Sequence, residues 1–410
     1  MRVRIHRGSK EIGGSCVEVE SMGQRLLLDV GLPLEDVQGR QFPPLPALDH
    51  DSLVAIVISH PHQDHYGLLP WMPKVPVVMG AAARRIIEAA APFMCQPSCS
   101  VAGPVLADRK PMTVGPFSIT PFLVDHSAYD AYALLIESEG KSLFYSGDFR
   151  MHGRKQGLMA LLAEKSPKGV DAMLLEGTTL SRTVQTSAFV SESGLESEFT
   201  QCFRETSGLV MVQASAQNID RLVTVYRACL KAQRTLVIDL YTALVLEATA
   251  NEKIPQSHWP NIAISIPLRQ RVQIKRNAWF EQLQRHSAHR IFLKRDLCRC
   301  PEKYVLLFRD LWRRDLDTAG CLAKSAFVHS QWAGYLHGDG FAPIKCWLEA
   351  KQIPLKVIHT SGHADPDGLK KLAHAVAPKV LVPIHTTNPK AYNKFGIPVA
   401  QYGDGEWWAV

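Results

Sequence analysis

The sequence predicts an α/β fold in two domains, and three observations support this. Its 410 residues are too many for one average domain and about right for two. Short strands with glycine-rich turns are interleaved with helical stretches, which is typical of an α/β sandwich. The pattern changes near Ser181 and returns to strands and turns after about Leu348, which indicates an inserted α/β domain. The predicted domains are residues 1–180 with 351–410, and residues 181–350.

The composition is that of a globular protein, and it excludes several classes. Hydrophobic residues make up 46% and charged residues 21%, so the chain is neither disordered nor fibrous. The longest apolar stretch, residues 53–58, is too short to span a membrane. Nine cysteines without a repeating framework indicate reduced thiols rather than disulfides. We therefore expect a cytoplasmic protein without a membrane partner.

Each predicted element follows from a run of apolar residues between turn signals. In the first domain, strands are predicted at residues 2–5, 15–20, 25–29, 54–59, 75–79, 118–124, 133–137, 142–146 and 172–176, with a helix at 81–91. The inserted domain has predicted strands at 209–213 and 235–240, joined by a helix over 219–230. Strands at 355–359 and 379–384, with a helix at 367–377, are expected to complete the first domain.

Side chains able to bind metal follow the strand predicted at residues 54–59: His60, His62, Asp64 and His65. Four such residues within six positions, in an apolar neighbourhood, are not explained by packing. Imidazole and carboxylate together suit zinc or a similar transition metal. His126 and Asp148 also follow predicted strands. The sequence therefore predicts a metal site built at strand ends.

This pattern resembles the metallo-β-lactamase superfamily, whose signature is His-x-His-x-Asp-His followed by a distal His, an Asp and a last His. The last His would be His385, and Asp29 would match the early motif aspartate. The resemblance implies an αββα sandwich with a dinuclear centre, one metal held by His60, His62 and His126 and the other by Asp64, His65 and His385. Asp148 would bridge the two metals, and Asp29 would orient a ligand imidazole through a hydrogen bond. Two divalent ions, zinc in preference to manganese, about 3.5–4 Å apart would hold a bridging hydroxide for hydrolysis.

Two later segments resemble motifs of the β-CASP nucleases. Residues 172–179 place Glu176 at a strand end before Gly and two Thr, as in motif A. Residues 358–364, Ile-His-Thr-Ser-Gly-His-Ala, resemble the histidine-bearing motif B, and His385 then serves as motif C. The resemblance implies that residues 181–350 form a β-CASP domain inserted into the metallo-β-lactamase domain, and that the substrate is a nucleic acid.

The chemistry of these motifs assigns further roles. The backbone N–H groups of Ser361 and Gly362 can bind a phosphate oxygen, and His363 can protonate the leaving 3′ oxygen. Glu176 can fix a metal-bound or motif B histidine through a charge-assisted hydrogen bond. For His359, a contact to substrate phosphate and a structural role at the strand end are equally open. The predicted catalytic residues are Asp64, His363 and Glu176.

Basic charge is concentrated in one part of the inserted domain. The chain has a net charge of +7, and residues 265–315 hold thirteen Lys or Arg against five Asp or Glu. Such a surplus favours a surface that binds polyanions, although a solvated face gives the same pattern. Close to one another further along lie His329, Gln331, Trp332 and Tyr335. These aromatic residues could stack on bases or pack within the domain.

The sequence therefore predicts a metal-dependent phosphodiesterase that hydrolyses single-stranded nucleic acid, RNA in preference to DNA, by a bridging hydroxide with His363 as general acid. A DNA nuclease of the same group is the alternative. So is a small-molecule hydrolase, such as a thioesterase or lactonase, which would not need motif B or the basic segment. A non-catalytic RNA-binding module is disfavoured because all seven expected ligands are present. Only 25 residues follow His385, so no separate C-terminal domain is expected, and the oligomeric state is left open.

Overall fold

The computed structural model describes residues 1–34, 50–94, 102–181 and 189–410. The chain forms two compact units, Met1–Phe189 with Gly362–Val410, and Val190–Ser361. The chain changes unit after residues 189 and 361, whereas the predicted domain boundaries follow residues 180 and 350. Within the described ranges, no helix has both the length and the apolar character needed to cross a bilayer.

The elements are numbered along the chain. The strands of the first unit are β1 (Arg2–Arg7), β2 (Cys16–Ser21), β3 (Gln24–Leu28), β4 (Leu53–Val57), β5 (Val77–Gly80), β6 (Val105–Leu106), β7 (Met112–Val114), β8 (Phe117–Val124), β9 (Ala131–Ser138), β10 (Lys141–Tyr145) and β11 (Ala172–Glu176). The helices among them are α1 (Gln63–Tyr66), α2 (Ala81–Ala90) and α3 (Gln156–Lys165).

The remaining strands and helices belong to the second unit and to the C-terminal part of the first unit. The strands of the second unit are β12 (Val210–Gln213), β13 (Thr235–Ile238), β14 (Ile262–Ile264), β15 (Tyr304–Phe308), β16 (Ala326–His329) and β17 (Leu355–Val357). Its helices are α4 (Glu192–Glu205), α5 (Ile219–Lys231), α6 (Leu240–Ala248), α7 (Leu268–Arg276), α8 (Phe280–Arg285), α9 (Arg313–Ala319) and α10 (Ala342–Ala350). The first unit is completed by α11 (Pro366–Val376), β18 (Val380–Ile384) and β19 (Trp407–Ala409).

Two sheets pack face to face in the first unit. Their strand orders are β19-β1-β2-β3-β4-β5-β6 and β18-β11-β10-β9-β8-β7. Because side chains alternate along a strand, residues such as Val3 and Ile119 point from opposite sheets into one buried core. Helix α2 packs on the outer side of the first sheet through Ile87. Helices α3 and α11 cover the second sheet through Met159 and Leu372. The layers are therefore αββα, and the predicted fold class is confirmed.

The second unit contains a single parallel sheet with the order β14-β13-β15-β12-β16-β17. Strands β12 to β16 are buried along almost their whole length, as is usual in parallel sheets that are covered on both faces. Because the strands are parallel, all their carboxyl ends lie at one edge of the sheet, where α/β proteins place their ligands.

One predicted strand belongs to a different sheet from the one expected. We expected the strand at residues 355–359 to help complete the first domain, and this was wrong. Leu355–Val357 instead pairs in parallel with β16 at the edge of the second unit's sheet. An apolar run predicts a strand but not its partner, because the partner strand is distant in the sequence. The chain rejoins the first unit through α11 and β18, and β18 pairs with β11.

Candidate functional site

Seven histidine and aspartate side chains of the first unit converge at the ends of its strands. His60 follows β4, His126 follows β8, Asp148 follows β10 and His385 follows β18. The other three are Asp64 and His65 in α1 and His62 directly before it. Candidate ligand atoms lie within 4.8 Å of one another in each of two groups, the first consisting of His60, His62 and His126, and the second of Asp64, His65, Asp148 and His385. Asp148 also forms such a group with Glu176 and His363. The structure therefore brings together all seven residues, while their roles as ligands and the bridging role of Asp148 stay predictions.

The loop beneath this cluster requires glycine at one position. A Cβ atom on Gly31 would lie 1.7 Å from the carbonyl oxygen of Asp64. The amide of Ser15 donates to the same carbonyl at 3.0 Å, and the amide of Gly31 donates to the Ser15 carbonyl at 3.0 Å. The backbone of residues 29–31 therefore packs directly against the start of α1 and fixes the position of Asp64.

Asp29 is the centre of a buried hydrogen-bond network next to the cluster. Its Oδ2 accepts hydrogen bonds at 2.7 Å from His65 Nδ1, Ser59 Oγ and Tyr145 Oη. Its Oδ1 accepts from the amide of Ser59, also at 2.7 Å. The His65 ring is thereby fixed so that its Nε2 lies 3.2 Å from Asp148 Oδ2. The contact of Asp29 with an imidazole was anticipated, whereas those with Ser59 and Tyr145 were not.

Two serines orient other imidazoles of the cluster. Ser59 Oγ lies 3.0 Å from His60 Nδ1, and Ser15 Oγ lies 2.8 Å from His385 Nδ1. Since Ser59 Oγ donates to Asp29, it accepts the hydrogen bond from His60. The Nε2 atoms of His60 and His385 then face Asp148 Oδ2 at 3.7 and 3.9 Å. No pattern in the sequence marked Ser15, and only adjacency to His60 marked Ser59.

The donor atoms of the cluster fit bound divalent metal ions. Nε2 of His60 and of His385 and Oδ1 of Asp148 are buried and have no hydrogen-bond partner among the described residues. Such atoms are costly to bury unless they bind a ligand. Burial lowers the pKa of His62 to about 4 and that of His126 well below its ordinary value. Neutral imidazoles are the form that binds a metal, so the residues suit a pair of transition-metal ions.

Glu176 and His363 form a second feature beside the cluster. Glu176 ends β11, and its two carboxylate oxygens lie 3.1 and 3.2 Å from His363 Nδ1. The amides of Phe149 and Thr178 donate to the same carboxylate at 3.2 Å. His363 Nδ1 also lies 3.7 Å from Asp148 Oδ2. Burial lowers the pKa of His363, but the carboxylates of Glu176 and Asp148 outweigh it and hold that pKa above its ordinary value.

The three residues predicted to contact substrate phosphate have different surroundings. Gly362 lies so close to Ser127 that a Cβ atom would be 2.7 Å from the Ser127 hydroxyl oxygen, so a larger residue would require the Ser127 side chain to move. Ser361 is buried in the second unit. Burial and the Arg221 guanidinium lower the pKa of His359 to about 3, so its ring is neutral near pH 7. A phosphate contact by His359 would therefore be a neutral N–H donor, and all three roles stay predictions.

The basic segment of the second unit is partly neutralised by ion pairs. Arg271 pairs with Asp315 at 3.1 Å, and Arg295 pairs with Asp296 at 2.9 Å. By contrast, some cations of α7 are exposed and have no carboxylate within 4.0 Å in the part of the chain that the structure describes, namely Arg269, Lys275 and Arg276. Part of the surplus of charge is therefore available for binding on α7.

Parts of this chain are similar in sequence to known proteins. Residues 24–196 match the Beta-lactamase superfamily domain. Over 249 residues the chain is 26% identical to "Ribonuclease J" of Helicobacter pylori, a match that covers 56% of this chain and 35% of that protein. Over 251 residues it is also 26% identical to "Ribonuclease J" of Mycolicibacterium smegmatis, which covers 57% and 43%. The matches thus span less than half of these relatives' own length.

A solved structure extends the likeness of fold to the whole chain. A protein of unknown function from Enterococcus faecalis has a TM-score of 0.77 with this chain and is 22% identical to it. The superposition covers 100% of this chain and 99% of that one. Residues 24–196 of the chain therefore resemble the Beta-lactamase superfamily domain, and a little over half of the chain is similar to ribonuclease J proteins.

Proposed function

We propose that this protein is a metal-dependent hydrolase that cleaves phosphodiester bonds in single-stranded nucleic acid, RNA in preference to DNA. The observation that carries the proposal is the Glu176–His363 pair, whose imidazole lies 3.7 Å from Asp148 of the metal-ligand cluster. A thioesterase or lactonase would need the cluster but not this additional proton donor. The similarity to proteins named ribonuclease J supports the choice of RNA.

The two groups of the cluster would each hold one divalent ion, with Asp148 shared between them. Nitrogen and carboxylate donors together suit zinc, and manganese is the next candidate. Bound there, the ions would activate water and stabilise negative charge on the phosphate. The contribution of the protein is orientation, because Asp29, Ser59 and Ser15 each hold one ligand imidazole by its Nδ1 side.

His363 would supply the proton that the leaving group requires. The Glu176 carboxylate orients the ring at Nδ1 and stabilises its protonated form. A protonated His363 can then donate to the 3′ oxygen as the phosphodiester bond breaks. The backbone N–H groups of Ser361 and Gly362, directly before His363 in the chain, would bind a phosphate oxygen of the same substrate.

The proposal is tested with metal-loaded protein and end-labelled single strands of RNA and DNA, each with a 5′-phosphate or a 5′-hydroxyl. We expect cleavage of RNA to be faster than that of DNA, and to be strongly reduced in the variant His363→Ala. The variant His374→Ala is a matched control, because this histidine is exposed on α11. Hydrolysis of thioesters or lactones without cleavage of either strand would contradict the proposal.

A further inference from the structure

We infer that Trp332 and Tyr335 form a stacking platform for an unpaired base of a single-stranded substrate. This inference rests on the proposed function and names a binding site within the second unit. The two side chains are 45% and 52% exposed, so packing accounts for only about half of their surfaces. Their ring centroids are 5.4 Å apart in an edge-to-face arrangement. Exposed aromatic rings are the usual means of binding single strands without sequence preference.

The Trp332 ring packs against the backbone of the residues that follow it. A Cβ atom on Gly334 would lie 2.3 Å from the Trp332 ring, so the indole lies directly against this glycine. The carbonyl oxygen of Trp332 accepts a hydrogen bond from Nε2 of His329, at 3.3 Å, and His329 is fully buried. A ring that is already held in place loses little conformational entropy when a base stacks on it.

The location of the platform also indicates a ligand. Trp332 follows β16 at the carboxyl edge of the parallel sheet, where α/β proteins bind their ligands. The amide of Ser330, two residues before Trp332, donates to the Gln213 carbonyl of β12 at 2.9 Å. The platform is therefore anchored to two adjacent strands of that sheet.

A buried network connects this edge to the segment predicted to bind phosphate. Arg221, which is fully buried against Glu192 at 3.0 Å, donates to the carbonyl oxygen of Ser330, also at 3.0 Å. The Ser330 hydroxyl in turn donates to the carbonyl oxygen of Ile358 at 2.7 Å. Ile358 lies three residues before Ser361, so the network fixes the spacing between the aromatic platform and residues 358–361. That arrangement suits a nucleotide that offers both a base and a phosphate.

The test compares binding of base-bearing and abasic strands. Affinities are measured by fluorescence anisotropy with the full chain in an Asp148→Asn background, which prevents cleavage, using a labelled RNA and strands of equal length with one abasic position each. With Trp332 present, we expect one abasic position to weaken binding about 5- to 100-fold, the range for loss of one stacked base. Trp332→Ala should bind the intact RNA more weakly by the same factor. It should also bind the intact and the abasic strands equally well.

Control variants distinguish the loss of base stacking from misfolding and from failure of the proposed function. Trp332→Phe should retain part of the discrimination, and Trp407→Ala, on β19 of the first unit, should retain all of it. Equal discrimination by Trp332→Ala and the parent would overturn the platform. If that result is found and the protein with native Asp148 cleaves RNA, the proposed function stands and only the stacking platform is rejected. Failure to bind or cleave any strand would instead overturn the proposed function.

Discussion

The outward face of α7 provides a quantitative prediction about substrate binding. Gln270 and Ile274 anchor this helix, and Val272, 59% exposed, lies at the centre of its outer face. Around Val272 lie the exposed cations without carboxylate partners described above. We expect charge reversal of Lys275 and Arg276 to glutamate to weaken the binding of all single strands, because these side chains are exposed and would contact the phosphate backbone.

The size of the effect follows from the number of available cations. Each phosphate contact to a single strand contributes about −0.7 to the slope of log affinity against log salt concentration. Three contacts from α7 therefore predict a slope of about −2, and the double variant, which keeps only Arg269, should have a slope of about −0.7. Affinities are measured by anisotropy with a short labelled RNA between roughly 50 and 200 mM salt.

A matched control uses two neighbouring lysines on another surface. Lys370 and Lys371 are both exposed on α11, so their reversal to glutamate changes the net charge by the same amount. We expect this control to leave the slope close to that of the unmodified protein. If the α7 variant binds with unchanged affinity and slope, the basic surplus is a solvated face and the reasoning is refuted. An equal loss in both variants would show that net charge alone, rather than α7, determines binding.

Three further predictions concern the candidate metal centre. Asp148→Asn should abolish turnover and weaken metal binding with little change in the far-ultraviolet circular dichroism spectrum, because the lost carboxylate lies 3.7 Å from His60 Nε2 and 3.2 Å from His65 Nε2; retained activity would be contrary. His363→Ala should lower kcat by roughly 10²–10⁴ with metal content unchanged; metal loss would instead place His363 among the ligands. Asp29→Asn should lower metal affinity about 10- to 100-fold, measured by competition with a chelator, because His65 loses its charged acceptor; unchanged affinity would remove Asp29 from this role.

The residues of the candidate site could be found from sequence wherever the chemistry is local. His60, His62, Asp64 and His65 lie within six positions after one strand, so a single segment reveals them. The supporting hydrogen bonds were not predictable in the same way. Tyr145 and Ser15 reach the cluster only because β10 and the loop before β2 meet there, and neither residue stands out by its neighbours in the sequence.

The fold was predictable at the level of elements but not of all their partners. Runs of apolar residues between turn signals marked the strands, whereas the sheet that β17 joins depends on a contact with β16. Charge shows the same limit. Counting Lys and Arg predicted a basic segment, but the count cannot detect that Asp239, far from the segment in the sequence, pairs with Arg309. Pairing across long sequence distances determines how much of the charge is available.

The central claim is that this chain binds a pair of metal ions on which its activity depends. Elemental analysis of protein purified without chelator, combined with RNA cleavage before chelation, after chelation and after metal is restored, tests it most directly. We expect about two transition-metal ions per chain, and RNA cleavage that disappears when they are removed and returns when they are restored. A protein that contains no bound metal and gains none on titration, or that cleaves RNA equally well after complete chelation, would contradict it.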